Sequence, residues 1–96
     1  MSNVQAPPAR LVVDVNIKGG QVDPSNAQLQ VGVNEPIVVH VNSDAADELH
    51  VRSTPEHSFN VEARPMQTFQ FTVGVPGKVD VELDKLNKTI ATIQVQ

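Results

Sequence analysis

From residue 11 onward, hydrophobic and polar residues alternate in short runs, which is the two-residue period of strands with one buried face. The first run places apolar side chains at Leu11, Val13, Val15 and Ile17. Seven later runs have the same phase, with apolar positions at Leu29, Val31 and Val33; Ile37, Val39 and Val41; Leu49 and Val51; Phe59 and Val61; Phe69, Phe71 and Val73; Val79, Val81 and Leu83; and Ala91, Ile93 and Val95. No run keeps a helical period for three turns, so the pattern predicts seven or eight short strands.

Segments rich in Gly, Pro, Asn and Asp separate these runs, and such residues favour turns. They are "KGG", "VDPSN", "NEP", "STPEHS", "ARPMQ", "GVPG" and "DKLNK". Many short strands at regular spacing are typical of an all-β Greek-key sandwich or barrel. We therefore predict one such domain over residues 11–96, preceded by a flexible N-terminal arm over residues 1–10.

Composition narrows the class of partner. The 96-residue chain has a net charge of −4, scattered Lys and Arg, three Phe, and neither Trp nor Tyr. Nucleic-acid binding needs clustered cations and often stacking aromatics, so nucleic acid is not expected as a partner. No apolar run approaches the roughly eighteen residues of a membrane span, so we expect no membrane insertion by this segment. The first ten residues also lack the apolar core of a signal peptide.

The segment "DELHVRSTPEHSF", residues 47–59, concentrates the chemistry-bearing side chains. Imidazole and carboxylate together can bind Cu(II) or Zn(II), so His50, His57 and Glu56 form one candidate metal site if a turn at Pro55 brings the two rings together. The alternative is a polar rim of ordinary histidines. Arg52 favours that alternative, because a guanidinium beside His50 opposes a dication unless a carboxylate holds it.

The remaining candidates have structural explanations. His40 is out of phase with the buried positions of its strand, so we expect it to be an exposed strand histidine. Ser53 or Ser58 could in principle pair with His57 as nucleophile and base, but no nucleophile elbow or oxyanion loop accompanies them. We expect no catalytic residues and no enzyme activity.

Four segments occur in an order that resembles a known family. They are "ELHV" at 48–51, "ARPMQTFQFTV" at 63–73, "VPGKVDVEL" at 75–83 and "TIATIQV" at 89–95. In this order they resemble the cupredoxins, and most of all the cysteine-free cupredoxin-like domains of actinobacterial exported lipoproteins. The resemblance covers residues 11–96 and implies a cupredoxin-like sandwich.

The same resemblance assigns positions to copper ligands. It implies that His50 is at the first copper histidine, and that the cysteine, the second histidine and the axial methionine would lie near Leu83, Leu86 and Ile90. These three residues are apolar, and the chain contains no cysteine. Blue-copper electron transfer requires a thiolate with two imidazoles, so we expect none.

These observations predict a non-enzymatic, extracytoplasmic accessory or binding module, lipid-anchored in the full-length protein as the resemblance implies. We expect a monomer without a cofactor, whose partner is an unknown protein or a metal ion. We expect its working end to combine His50 with the loops at 53–58 and 84–88. The alternative function is a copper- or zinc-binding domain that uses His50, His57 and nearby carboxylates.

Overall fold

The computed structural model describes residues 10–96, which form nine β-strands. Residues 1–9, and with them nearly all of the predicted flexible arm, lie outside the described residues. The strands are β1 (Leu11–Lys18), β2 (Gln21–Asp23), β3 (Ala27–Val31), β4 (Ile37–Ser43), β5 (Asp47–Val51), β6 (His57–Val61), β7 (Gln67–Phe71), β8 (Gly77–Leu83) and β9 (Lys88–Val95). Over residues 10–96, no helix is long and apolar enough to cross a membrane.

Two sheets face each other as a β-sandwich. One has the strand order β2-β1-β4-β7, and the other has the order β3-β9-β8-β5-β6. Strands β1 and β4 pair in parallel, as do β3 and β9, and the other pairings are antiparallel. The chain changes sheet after β2, β3, β4, β6 and β7, as a Greek-key sandwich requires. The predicted all-β sandwich is confirmed.

The predicted phase of the strands is also confirmed, because the apolar positions of each run form the core. Val15, Ile37, Leu49, Ile93 and Val95 are each 0% exposed. Burial of a valine- or leucine-sized side chain contributes about 1.5–3 kcal/mol, so this valine-rich core is the main source of stability.

The strand count is higher than predicted because β2 lies in a segment that the sequence assigned to a turn. Gly19 and Gly20 adopt φ angles of 57° and 76°. Two consecutive residues with positive φ form the tight turn that suits a two-residue hairpin, and glycine adopts it without steric cost. Gln21 therefore pairs directly with Lys18, and three residues add to the sheet before Pro24.

The side of the sandwich formed by β6 and β7 is covered by the chain's own side chains. The Phe59 and Phe69 rings lie 5.2 Å apart across the two sheets. The Gln67 side chain, 4% exposed, accepts a hydrogen bond from the Glu62 N–H (2.8 Å) and donates one to the Glu62 carbonyl (2.7 Å). Both contacts tie the edge of one sheet to the edge of the other.

A buried carboxylate fixes the turn between β8 and β9. Asp47 is 6% exposed, and its oxygens accept hydrogen bonds from the backbone N–H groups of Glu48 (2.6 Å), Lys85 (2.8 Å) and Leu86 (3.3 Å). The Asp84 N–H donates to the Glu48 carbonyl (3.1 Å), which extends the β5–β8 pairing into the turn. Asp47 therefore links the start of β5 to the residues that reverse the chain into β9.

We predict that Asp47→Ala destabilises the protein by about 1–3 kcal/mol, because it leaves partly buried N–H groups without an acceptor. Urea unfolding followed by circular dichroism measures the effect. The neighbouring Glu48→Ala is the control, since that side chain lies on the outer face, and we expect it to change stability by no more than about 0.5 kcal/mol. Equal effects of the two substitutions would show that Asp47 does not anchor the turn.

Candidate functional site

His50 is the fourth of the five residues of β5 and points away from the core, towards the outer face of the five-stranded sheet. Its neighbours Leu49 and Val51 are 0% exposed, so strand alternation directs His50 outward. The Nε2 atom is 3.0 Å from Glu56 Oε2, and the Nδ1 atom is 3.6 Å from Asp84 Oδ1. The imidazole therefore lies between carboxylates from the β5–β6 loop and from the end of β8.

A second ion pair lies beside the first on the same face. Arg52 Nε donates to Glu82 Oε1 at 2.7 Å, and Glu82 is also the cross-strand neighbour of His50. A carboxylate therefore holds the guanidinium beside His50. We call this surface the His50 face; it consists of Glu48, His50, Arg52, Glu56, Glu82 and Asp84.

The surrounding carboxylates favour the protonated form of His50. The hydrogen bond with Glu56 raises the pKa of His50 above its ordinary value of 6.5. Partial burial lowers the pKa, the charges of Glu56 and Asp84 raise it further, and the positive charge of Arg52 lowers it. The net direction is upward because the carboxylates contact the ring directly.

The structure does not bring His57 to this site. Strand β6 begins at His57, two residues before the apolar run that the sequence indicated, and His57 pairs with the inward-facing Val51. The His57 ring stacks parallel to the Phe59 ring, with centroids 6.3 Å apart, and its centroid lies 5.4 Å from that of Phe71. Both histidines therefore lie on the same pair of strands but on opposite faces of the sheet.

Of the three predicted metal ligands, only His50 and Glu56 lie together. Within residues 10–96, no three His, Cys, Asp or Glu side chains are grouped so that they could hold a metal ion. Both imidazole nitrogens of His50 already face carboxylates, so a metal would displace one of these contacts. Metal binding by His50, His57 and Glu56 stays a prediction. The pairing of β5 with β6 does not favour it, because this pairing places the two histidines on opposite faces of the sheet.

The residues at the implied copper positions do not fit a copper centre. Leu83 and Ile90 are 1% and 0% exposed, and Leu86 packs against the core. No buried side-chain nitrogen or oxygen of the described residues is without a hydrogen-bond partner, so none is left to receive a metal. Leu83 faces inward opposite Leu49, whereas His50 faces outward, so His50 cannot share a centre with the Leu83 position. The placement of His50 at the first copper ligand, which the resemblance implied, stays a prediction that the opposite orientations of His50 and Leu83 do not favour.

Ile90 is buried because of a β-bulge. Glu82 pairs with Thr89 and Val81 pairs with Ala91, so Ile90 is the extra residue on β9. A bulge opposes two residues to one and redirects the side chain. Ile90 and Ala91 are consequently both buried, although simple alternation predicted only Ala91 on the inner face.

The predicted working end is also corrected. Strand β5 runs from the turn at 84–87 towards the loop at 52–56, and β8 is antiparallel to it. The two loops therefore lie at opposite ends of β5, and His50 lies between them on the sheet. His40, expected on an outer face, does lie there, and its Nδ1 is 3.1 Å from Thr68 Oγ1.

Asp84 belongs to the 84–88 loop that was predicted to lie with His50, but its direct contact with the imidazole was not predicted. It continues the outward phase of Asp80 and Glu82, and the alternation of β8 could have identified it as an outer-face residue. An open groove of about 630 Å³ lies near the start of β5, between Glu48, Asn60 and Lys85. Glu48 lines both this groove and the His50 face, but neither His50 nor His57 lines the groove.

Comparisons with known proteins show the fold. No family model matches the chain, and no curated protein matches it. Solved structures do match. A proline-to-alanine mutant of amicyanin in its oxidized state is 13% identical with a TM-score of 0.63, covering 96% of this chain and 87% of that chain. The Cu(I) form of a methionine-to-alanine mutant of amicyanin is 16% identical with a TM-score of 0.62, covering 96% and 86%.

A methionine-to-glutamine mutant of amicyanin with Cu(I) is 14% identical with a TM-score of 0.62, covering 92% of this chain and 83% of that chain. Amicyanin is a cupredoxin, and the likeness extends over nearly all of both chains. At this level of identity the likeness concerns the arrangement of strands and not the chemistry of a site. The chain has a cupredoxin-like β-sandwich fold.

Proposed function

We propose that this chain is a non-enzymatic, extracytoplasmic accessory or binding module that transfers no electrons through a blue-copper centre. This proposal rests on one observation. The positions that the resemblance assigns to the other copper ligands hold packed apolar residues. Leu83 and Ile90 belong to the core, and the sequence supplies no thiolate. The end of the fold where the copper ligands are implied is packed with apolar side chains, and charged side chains concentrate on the His50 face.

Several contacts support a role without catalysis. Both nitrogens of His50 face carboxylates, so its imidazole is not free to take a proton from a substrate. The Ser53 hydroxyl donates to the Pro55 carbonyl at 2.7 Å. Ser58 and His57 are adjacent in β6 and therefore point to opposite faces of the sheet. No nucleophile and base are paired among these side chains.

The His50 face suits a protein partner with a positively charged surface. It carries four carboxylates against one guanidinium and one imidazole, so its net charge is negative whether or not His50 is protonated. Its side chains come from the neighbouring strands β5 and β8 and from the residues that follow them, so the pairing of these strands sets the spacing of the charges. Charge complementarity of this kind favours encounter with one class of partner and disfavours others.

The proposed location rests on the resemblance to exported actinobacterial lipoproteins. In that setting the domain acts outside the cytoplasm and is tethered to the membrane by a lipid on the full-length protein. In dilute solution we propose that the module is a monomer.

We expect a photo-crosslinking residue at Ser58, beside His50, to give a discrete adduct with one partner in cells that make the full-length protein. The adduct should be found in the membrane fraction and should be lost when Glu82→Lys replaces one of the four carboxylates of the face with a cation. The control position is Thr68, which is equally exposed on the other sheet. The same adduct from both positions, or a chain confined to the cytosol, would refute the proposal.

The contact of His50 with Glu56 supports one alternative, a copper- or zinc-binding domain. Titration calorimetry with Cu(II) and with Zn(II) separates the two functions. We expect no saturable binding tighter than a Kd of about 1 μM, which corresponds to about 8 kcal/mol. Tighter binding that both His50→Ala and His57→Ala abolish would establish the metal site and overturn the present geometry of the two histidines.

We predict that the contribution of His50 to stability depends on pH. A histidine whose pKa is raised on folding stabilises the protein fully below its unfolded pKa, near 6.5, and the stabilisation is lost as the pH rises through the folded pKa. His50→Gln should therefore destabilise the protein more at pH 5.5 than at pH 8.5, by less than about 1 kcal/mol because Glu56 and Asp84 are exposed. Urea unfolding at the two pH values measures this difference.

Glu56→Gln provides the matched background for that measurement. In this background the pH-dependent part of the His50→Gln effect should shrink, since the largest cause of the raised pKa is removed. An unchanged pH dependence would show that Glu56 does not hold the imidazole in solution.

A further inference from the structure

Strand β3 lies at one of the two edges of the five-stranded sheet, opposite β6, and one side of it is unpaired among the described residues. It pairs in parallel with β9, with Val31 in register with Val95, and the Gln96 N–H donates to the Val31 carbonyl at 3.0 Å. In a parallel pair, residues that bond to the neighbour alternate with residues whose peptide groups point away. Ala27, Leu29 and Val31 therefore face β9, and Gln28 and Gln30 present their N–H and C=O groups to the open edge.

The composition of β3 lacks the usual protection of an edge strand. Natural edges carry charges, proline or bulges that prevent pairing with another chain. The β3 sequence "AQLQV" contains no charged residue, no proline and no glycine. Leu29 lies on the core face of β3 but stays partly exposed, unlike its register partner Ile93, which is 0% exposed.

The edges on the opposite side of the sandwich differ from β3, although β6 and β7 are also uncharged. There, Phe59 and Phe69 already cover each other, and Gln67 already occupies the N–H and C=O of Glu62. On the β3 side the edge of the other sheet is β2, which has only three residues. The β3 edge therefore combines open peptide groups with the partly exposed Leu29, beside a short neighbouring edge.

We propose that two copies of this chain associate through antiparallel pairing of β3 with β3, about a two-fold axis at Leu29. In this register Gln28 of each copy pairs with Gln30 of the other, and each pair exchanges two N–H···O=C bonds. The two Leu29 side chains meet at the non-hydrogen-bonded position between them, where side chains approach most closely. The five-stranded sheets then join into one sheet of ten strands.

Three features favour a second copy as the occupant of this edge. A two-fold axis pairs a surface with itself, so an uncharged strand meets no like-charge repulsion. The four unpaired peptide groups of one strand match the four of the other in number and direction. Pairing also covers Leu29. A five-residue strand is only about 17 Å long, and the interface is smaller than those of stable dimers, so association is weak and rises with concentration.

Cysteine cross-linking tests the register, because the chain has no cysteine of its own. Antiparallel residues at a non-hydrogen-bonded position have Cα atoms about 4.5 Å apart, within the range that a disulfide spans. At about 0.5 mM protein, where a small interface is populated, Leu29→Cys should form disulfide dimers at least about tenfold faster than Ser58→Cys. Ser58 is more exposed, so random collisions would favour the control instead.

Two further measurements keep the test independent of the effect of the cysteine on folding. Sedimentation of the unmodified chain should show a dimer fraction that grows with concentration, and Gln28→Lys with Gln30→Lys should abolish it. Gln70→Lys, on the β7 edge, should leave it unchanged. Amide exchange at Gln28 and Gln30 should slow as concentration rises. A monomer at every concentration, equal cross-linking of both cysteine variants, or dissociation by Gln70→Lys instead would overturn the proposal.

Discussion

The alternation of inward and outward side chains along β5 governs both the core and the candidate site. Leu49 and Val51 are fully buried between the sheets, so His50 and Arg52 must face solvent on the outer side. Because β6 and β8 pair with β5 in register, the same alternation places His57 on the inner face and Glu82 on the outer face. The pairing of β5 with β6 therefore separates the two histidines, and the pairing of β5 with β8 brings Glu82 beside His50.

Near the β8–β9 turn, the positions that the resemblance assigns to copper ligands hold apolar side chains. Core packing and the contacts of one buried carboxylate maintain the fold there. Leu83 and Ile90 fill the core, while the Asp47 carboxylate accepts hydrogen bonds from the backbone N–H groups of two consecutive residues in the turn. A carboxylate bound to several backbone donors orders a turn without needing a metal ion. The strand arrangement that this chain shares with amicyanin is thus compatible with packed apolar side chains at the implied copper positions.

The charged and uncharged parts of the surface suggest different kinds of contact. On the His50 face, paired charges on a rigid sheet favour a partner of complementary charge. At β3 the open groups are peptide N–H and C=O on an uncharged strand, which favour another extended strand. The two surfaces belong to the same five-stranded sheet, where β8 and β9 lie between β5 and β3.

Much of the fold followed from local sequence. The two-residue period of the apolar positions was sufficient to predict an all-β sandwich and the inward phase of its strands, since side chains alternate within any strand whatever its neighbours. The missing cysteine likewise excluded a thiolate site from composition alone. Short elements and irregularities were not predictable in this way, and β2 and the bulge at Ile90 depend on pairing with other strands.

The candidate site depended on tertiary structure almost entirely. The strand pattern showed that His50 points outward. It did not show that the Asp84 carboxylate, 34 positions later, would contact the imidazole, or that β6 would begin at His57 and turn that ring inward. Which strands become neighbours, and which edge stays open, depends on long-range hydrogen bonding and packing between sheets. A periodic pattern defines the two faces of a strand, but it contains no information about the strand that lies next to it.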